Sequence, residues 1–309
     1  LPQGSYEPVI LLVTPKKQSL FSTSILYRLS EKTNIQAQLG LSNYDINTFS
    51  SLDKGNDKGL GLKFDVNNLQ NLKFWKNDWE LKSNVGYEFV DKQFTPLERL
   101  RTVEFLRDWG LNYDEQKANE ALPNAGFTLS TKDKSHQFNY TYTGYIRDDG
   151  YKGNRFILQE QTTKNGWMIN GIFNYTHINS DGFNGYFLRP SIDVSKIFKK
   201  LNHYQLSARY FIERNPILYN NGDSIARNSF AFNDATVALK SNAAKPNRWG
   251  VSWNQRRNEL PYLKTLEQSD ISNSYSAFVE LTKSAKHQLK FNAIYRTLDV
   301  INSLVSNLK

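Results

Sequence analysis

Alternation is the feature that most constrains this chain. In His203–Glu213, every second residue falls into one of two sets. Tyr204, Leu206, Ala208, Tyr210 and Ile212 form an apolar set, and Gln205, Ser207, Arg209, Phe211 and Glu213 a mostly polar one. Successive side chains of a strand point to opposite faces, so this stretch predicts a two-faced strand. An aromatic near each end suits a tilted strand crossing a bilayer. A soluble sheet resting on a core would show the same local pattern.

The unit recurs. Ile35, Ala37, Leu39 and Leu41 alternate with Gln36, Gln38, Gly40 and Ser42. Similar runs surround Leu60–Val66, Trp79–Phe89, Phe138–Ile146, Trp167–Tyr175, Phe230–Leu239, Trp249–Trp253, Tyr275–Leu281 and Leu289–Tyr295. Pro190 interrupts one run and predicts a bulge. Asn165-Gly166 predicts a tight hairpin. Tyr6–Val13 reads as a short first strand, with about fourteen more after it. Short turns alternate with long polar connections from Leu20 onward, the longest connections being Asn43–Lys58, Asp91–Asn124, Arg214–Asn228 and Gln255–Asn273. Within the longest, Thr102–Trp109 reads as a short strand and Tyr113–Leu122 as helical. Gly55, Gly59 and Gly61 read as turn glycines, since no helix follows them to make a phosphate cradle.

Outer-membrane barrels show this asymmetry, with short turns on one side and long loops on the other. The expected fold is therefore all-β, an antiparallel up-and-down meander of about 14–16 strands. It would be a transmembrane β-barrel or a large segment of one, forming one domain over 1–309 with a long loop insertion at 91–124. Composition agrees. Aromatics make up 14% of the 309 residues, and there is no run long enough for an apolar spanning helix. The mean hydropathy of −0.61 fits a barrel, where only alternate residues meet lipid. There is no cysteine, which excludes disulfide and thiolate chemistry. Leu1-Pro2-Gln3-Gly4 is not a secretory leader, so either a leader was removed or the chain is an internal piece. With the short turns on the inner side the last strand runs outward, and Ser306-Asn307-Leu308-Lys309 lacks a terminal aromatic, so the chain is expected to be part of a longer barrel or the strand count to be off by one.

Certain segments carry a family resemblance. Asn43-Tyr44-Asp45-Ile46-Asn47-Thr48-Phe49-Ser50, Phe94-Thr95-Pro96-Leu97-Glu98-Arg99 and Val103-Glu104-Phe105-Leu106-Arg107-Asp108-Trp109 resemble stretches of large outer-membrane β-barrel proteins of Bacteroidota. The Tyr/Phe/Asn-rich style of the whole chain is similar. The resemblance implies a bacterial outer-membrane location. Because some large barrels of that kind are secretion translocons, it implies a role of that type by analogy.

On this reading Trp75, Trp79, Trp167, Tyr204, Trp249 and Trp253 belong to an interfacial girdle near the short turns. Arg147, Arg155, Arg189, Gln205, Arg209 and Glu213 face the lumen, lining a channel or touching a plug. Asp45, Asp53 and Asp57 offer oxygen ligands of the kind calcium prefers, without EF-hand spacing. The four histidines lack metal-site spacing. Glu98, Glu104, Asp108, Asp114 and Glu115 are interleaved with Arg99, Arg101 and Arg107, as expected of charge pairing within a folded loop rather than of acid–base work. No GxSxG or Walker motif occurs. No cofactor is expected and no catalysis. The net charge of +9 suits anionic head groups and lipopolysaccharide phosphates, and no base-reading motif points to nucleic acid. Expected partners are outer-membrane lipid, lipopolysaccharide and other envelope protein subunits. The alternative is a soluble extracellular or periplasmic β-sheet protein that binds glycan or protein.

Overall fold

The computed structural model describes residues 13–52, 54–74, 77–111, 117–219, 224–284 and 287–301. The strands are β1 (Lys17–Arg28), β2 (Thr33–Asp45), β3 (Lys58–Phe74), β4 (Asn77–Val90), β5 (Glu120–Thr131), β6 (His136–Arg147), β7 (Lys152–Lys164) and β8 (Trp167–Asn179). They continue with β9 (Phe183–Leu188), β10 (Ser191–Phe198), β11 (Tyr204–Asn215), β12 (Ile217–Tyr219), β13 (Phe230–Lys240), β14 (Arg248–Tyr262), β15 (Thr265–Ser284) and β16 (His287–Val300). One α-helical turn, α1 (Phe105–Asp108), lies between β4 and β5. All sixteen strands belong to one antiparallel up-and-down sheet, with β9 and β12 as a small side pair. No described helix is long and apolar enough to cross a membrane, which says nothing about strands.

Register divides the sheet into two faces. Across β8, β10, β11, β13 and β14, one rung runs Asn170, Asp193, Arg209, Thr236 and Asn254. The neighbouring rung on the opposite face runs Ile169, Val194, Ala208, Val237 and Trp253. The division extends through β2–β4, where Leu39, Leu62 and Phe89 share a rung, as do Gln38, Lys63 and Glu88. The apolar face is bare along the described strands. Leu206 keeps 44%, Val251 48% and Tyr275 51% of its surface exposed. The larger buried apolar cluster lies instead against the polar face, beneath the loop between β4 and β5, and a smaller one joins Ile225, Ala231 and Leu266 near the far ends of β13–β15.

Local chemistry explains the turns. Asn165 and Gly166 both adopt positive φ, the conformation a two-residue hairpin of the right twist requires. At Arg189-Pro190 the expected run splits into β9 and β10, because proline has no N–H to give the ladder. The backbone reconnects through Arg189 N to Asn174 O at 2.8 Å and Ile212 N to Pro190 O at 3.0 Å.

Several expectations change. The first strand expected at Tyr6–Val13 lies outside the described residues except for Val13, which is not in a strand. Gln255–Asn273 is not a long connection. β14 and β15 continue through it to a turn at Leu263-Lys264, with a bulge near Asn258 and Glu259. The β6–β7 connection, 148–151, is also short, so the alternation of short and long connections has exceptions. The loop insertion ends at residue 119, where β5 begins, rather than at 124. Phe105–Asp108 forms α1 where a strand was expected, and Glu120–Leu122 is strand where a helix was expected. Gly59 and Gly61 lie in β3, not in a turn.

Candidate functional site

The β4–β5 loop folds onto the polar face and is anchored at both ends. At the first anchor, the Phe94 ring lies where side chains of Gly40 and Gly61 would otherwise stand. A Cβ on Gly40 would come within 3.1 Å of that ring, and one on Gly59 within 2.1 Å of the Phe94 backbone nitrogen. Only glycine on these rungs admits the loop so close to the sheet. Thr95 N donates to Ser42 Oγ at 3.0 Å, and Gln18 Nε2 donates to Thr95 O and Pro96 O at 3.2 and 3.1 Å.

The second anchor is Trp109, which is 1% exposed and packs with Leu111, Leu122, Tyr145, Tyr151, Ile178, Phe187, Ile217 and Ala226. Its ring occupies the space beside Gly153, where a Cβ would approach it to 2.7 Å. Tyr145 lies 5.2 Å from both the Phe105 and Trp109 rings and 5.4 Å from Tyr151. The Tyr151 hydroxyl donates to Trp109 O. Such aromatic contacts add about 0.5–1.5 kcal/mol each beyond the area they bury.

Charge completes the attachment. Asp108 accepts from Arg189 Nη1 at 2.9 Å and lies 3.6 Å from Arg155 Nη1. Arg189 Nε donates to Glu213 at 3.0 Å. Arg101 bridges Glu88 and, at 2.7 Å, Glu120, whose other oxygen accepts from the Tyr145 hydroxyl at 2.8 Å. Burial alone would lower the Arg101 guanidinium, but Glu88 and Glu120 hold it above its usual value. Arg147 is buried and binds Asp149 through two nitrogens. Burial pushes the Asp149 carboxyl up, yet Arg147 and the Tyr151 N–H more than offset this and leave it below the usual range.

The six expected lumen residues share the polar face but divide in role. Arg155 and Arg189 hold the in-folded loop through Asp108, Glu213 pairs with Arg189, and Arg147 pairs with Asp149 in the β6–β7 turn. Gln205, paired with Lys240, and Arg209, 3.6 Å from Asp193, lie beyond the in-folded loop. Of the described acidic loop residues, Asp108 pairs outside the loop, with Arg155 and Arg189, whereas Glu104 pairs within it as expected, 3.0 Å from Arg107. Glu98 is exposed, and Asp114 and Glu115 lie outside the described residues.

Trp79, Trp167, Tyr204, Trp249 and Trp253 all stand on the apolar face toward the short turns, with Tyr204 and Trp249 rings 5.8 Å apart. Trp75 lies outside the described residues. Asp45 is ion-paired with Lys54 and accepts from Asn47 N at 3.0 Å, Asp57 is buried, and Asp53 lies outside the described residues. Among the described residues no three acidic, histidine or cysteine side chains converge as a metal site.

The glycine seats and the Trp109 anchor were not read from the sequence. A signal existed in the glycines of the alternating segments, Gly40, Gly59 and Gly61, which line up on one face. Comparison with protein-family models, curated proteins and solved structures finds no match.

Proposed function

We propose that this chain is an outer-membrane β-barrel, or a large part of one, that acts without catalysis in transport, protein secretion or envelope assembly. The observation that carries the reading is the division of the sheet. One face is mainly apolar and exposed over the stretch near the short turns, while the other carries polar side chains and an in-folded loop. A soluble sheet would cover such a face, because bare apolar area is costly in water. The dimension also fits. From Trp79 to Phe89 on β4, ten residues at ~3.3 Å rise and ~40° tilt give roughly 25 Å of height, the thickness of a barrel's apolar band.

In this reading the bacterial outer membrane is the location. Lipid and lipopolysaccharide meet the apolar face, other envelope subunits meet the loops, and the polar face lines the lumen. The arginine partners of the loop residue Asp108 and of the strand residues Glu88 and Glu120 favour a structural over a catalytic role for these carboxylates. Membrane fractionation tests it. The chain should stay in the pellet without detergent and migrate differently on a gel before and after heating. A soluble, monodisperse protein in plain buffer would overturn the proposal and favour a soluble β-sheet binding protein.

A further inference from the structure

One stretch of the apolar face departs from the rest. Register puts Glu160 on the rung of Phe138 and Gly171, two rungs from Trp167 and among apolar side chains. Thr162 Oγ1 donates to Glu160 Oε1 at 2.6 Å, and His136 Nδ1 lies 2.9 Å from the same hydroxyl. The threonine proton is committed to the carboxylate, so His136 carries the hydrogen on Nδ1 and donates it. The chain of bonds thus ends on a carboxylate that keeps further acceptor capacity. Among the described residues no cation pairs with it. Gly171 beside it has no side chain, and a Cβ there would meet only the Glu160 Cβ at 3.9 Å.

Two lysines lie nearer the turn, beyond the Thr162 and His136 rung. Lys164 and Lys196 both share a rung with Trp167, on either side of it and on the same face. Lys196 Nζ stands 4.7 Å from the Trp167 ring and donates to Asn165 O at 2.9 Å. From the turn inward the order is therefore two ammonium groups and an indole, then a hydroxyl and imidazole, then a carboxylate, then Leu158 and Phe173. The lysine and glutamate rungs are four residues apart, about 10 Å in depth at a ~40° tilt.

We propose that this strip binds a lipid that carries a phosphate and, directly beneath it, a hydroxyl or amide N–H. The phosphate meets Lys164 and Lys196. The donor meets Glu160, and the acyl chain lies along Leu158, Phe173 and Ile192. A carboxylate is acceptor-only, so it repels the ester carbonyls that diacyl phospholipids offer at that depth and selects a donor instead. A lysophospholipid or an amide-linked phospholipid has that chemistry. The inference rests on the membrane reading above.

Three phosphate monoesters of matched acyl length separate the possibilities: lysophosphatidic acid, ceramide 1-phosphate and phosphatidic acid. Binding is measured by native mass spectrometry on the full chain in neutral detergent micelles. The two donor-bearing lipids should bind about tenfold more tightly than phosphatidic acid, the worth of one charge-assisted hydrogen bond. Preference for only one of the two identifies the source and supports the proposal. Glu160→Ala should abolish the preference and leave phosphatidic acid binding unchanged, whereas Lys196→Gln should weaken all three together. Equal binding of the three lipids by a heat-modifiable, inserted protein overturns this inference alone, as does a preference that survives Glu160→Ala. A chain that never inserts overturns the membrane reading and this inference with it.

Discussion

The Arg155 guanidinium lies 4.4 Å from the centre of the Trp109 ring and donates from Nη2 to the carbonyl of Asp108 at 2.7 Å. One side chain on β7 thus holds two consecutive loop residues by different means. Arg189, which also pairs with Glu213, reaches Asp108 as well, so Asp108 is shared by two arginines and is the only ion-pair partner of Arg155 among the described residues. Asp108→Asn should remove that shared charge and free the loop. Each lost charge-assisted bond costs roughly 1.5–3 kcal/mol. Trypsin should then cut faster after Arg99, Arg101 or Arg107, while the heat-modifiable band stays intact. Unchanged proteolysis would show that the aromatic anchor alone is sufficient.

Trp109→Ala removes that aromatic anchor. Truncating a buried tryptophan costs about 3–5 kcal/mol. Hydrogen exchange of the loop amides between Phe94 and Leu111, followed along a denaturant series, should show a separate early transition for the loop. A single transition at the wild-type midpoint would refute the assignment.

The glycine seats predict a graded series. Gly59→Ala should be severe, because its Cβ would fall 2.1 Å from backbone. Gly61→Ala should be mild, since the Phe94 ring edge at 3.3 Å can yield. Gly55→Ala should be neutral, because nothing lies within 4 Å. Overpacking of this kind costs about 1–3 kcal/mol at a well-packed site. Midpoints of urea unfolding should fall in the order Gly59, Gly61, Gly55, and any other order argues against the seat.

Ala208 and Ser207 are adjacent and face opposite ways. A spin label at position 208 should be relaxed by lipid-soluble oxygen, and one at 207 by a water-soluble nickel chelate. Reversed accessibilities would mean that the register is shifted by one residue and that Arg209 faces lipid, at a cost of roughly 2–4 kcal/mol near mid-bilayer.

The β5–β6 turn should show a defined acid response. Hydrogen bonds from Thr131 and from the backbone and hydroxyl of Ser135 lower the Asp133 carboxyl from 3.8 to about 2. Because the folded value is the lower one, the turn is fully stabilised above pH ~4 and loses that support as pH falls toward 2. Selective carboxyl NMR should find the Asp133 inflection near 2, and Asp133→Asn should flatten the dependence of turn amide exchange below pH 4. An inflection near 3.8 would contradict the hydrogen bonding.

Much of the sheet was legible because alternation is a local property. Leu206, Ala208 and Tyr210 separate from Gln205, Ser207 and Arg209 by sequence position alone. Where both faces are polar the signal vanishes. Gln255–Asn273 therefore read as a loop, although β14 and β15 run through it. The in-folded loop depends on non-local fit. Nothing near Trp109 in sequence announces Gly153, and nothing near Phe94 announces Gly40. Glu160 was visible in the phase of Phe156 and Leu158, as the one carboxylate in step with them on β7, but only register shows that Thr162 and His136 join it.

The β14–β15 hairpin has a mechanical consequence. β15 is 20 residues long, about twice what a tilted crossing requires. In the proposed orientation its first eight or so residues, from Thr265 on, would stand roughly 20 Å clear of the bilayer. A paired two-stranded post of that height resists bending as a single loop cannot. It would act as a spacer, fixing how closely a large neighbour could approach the mouth and giving its tip at Leu263-Lys264 the longest lever arm over the strands below.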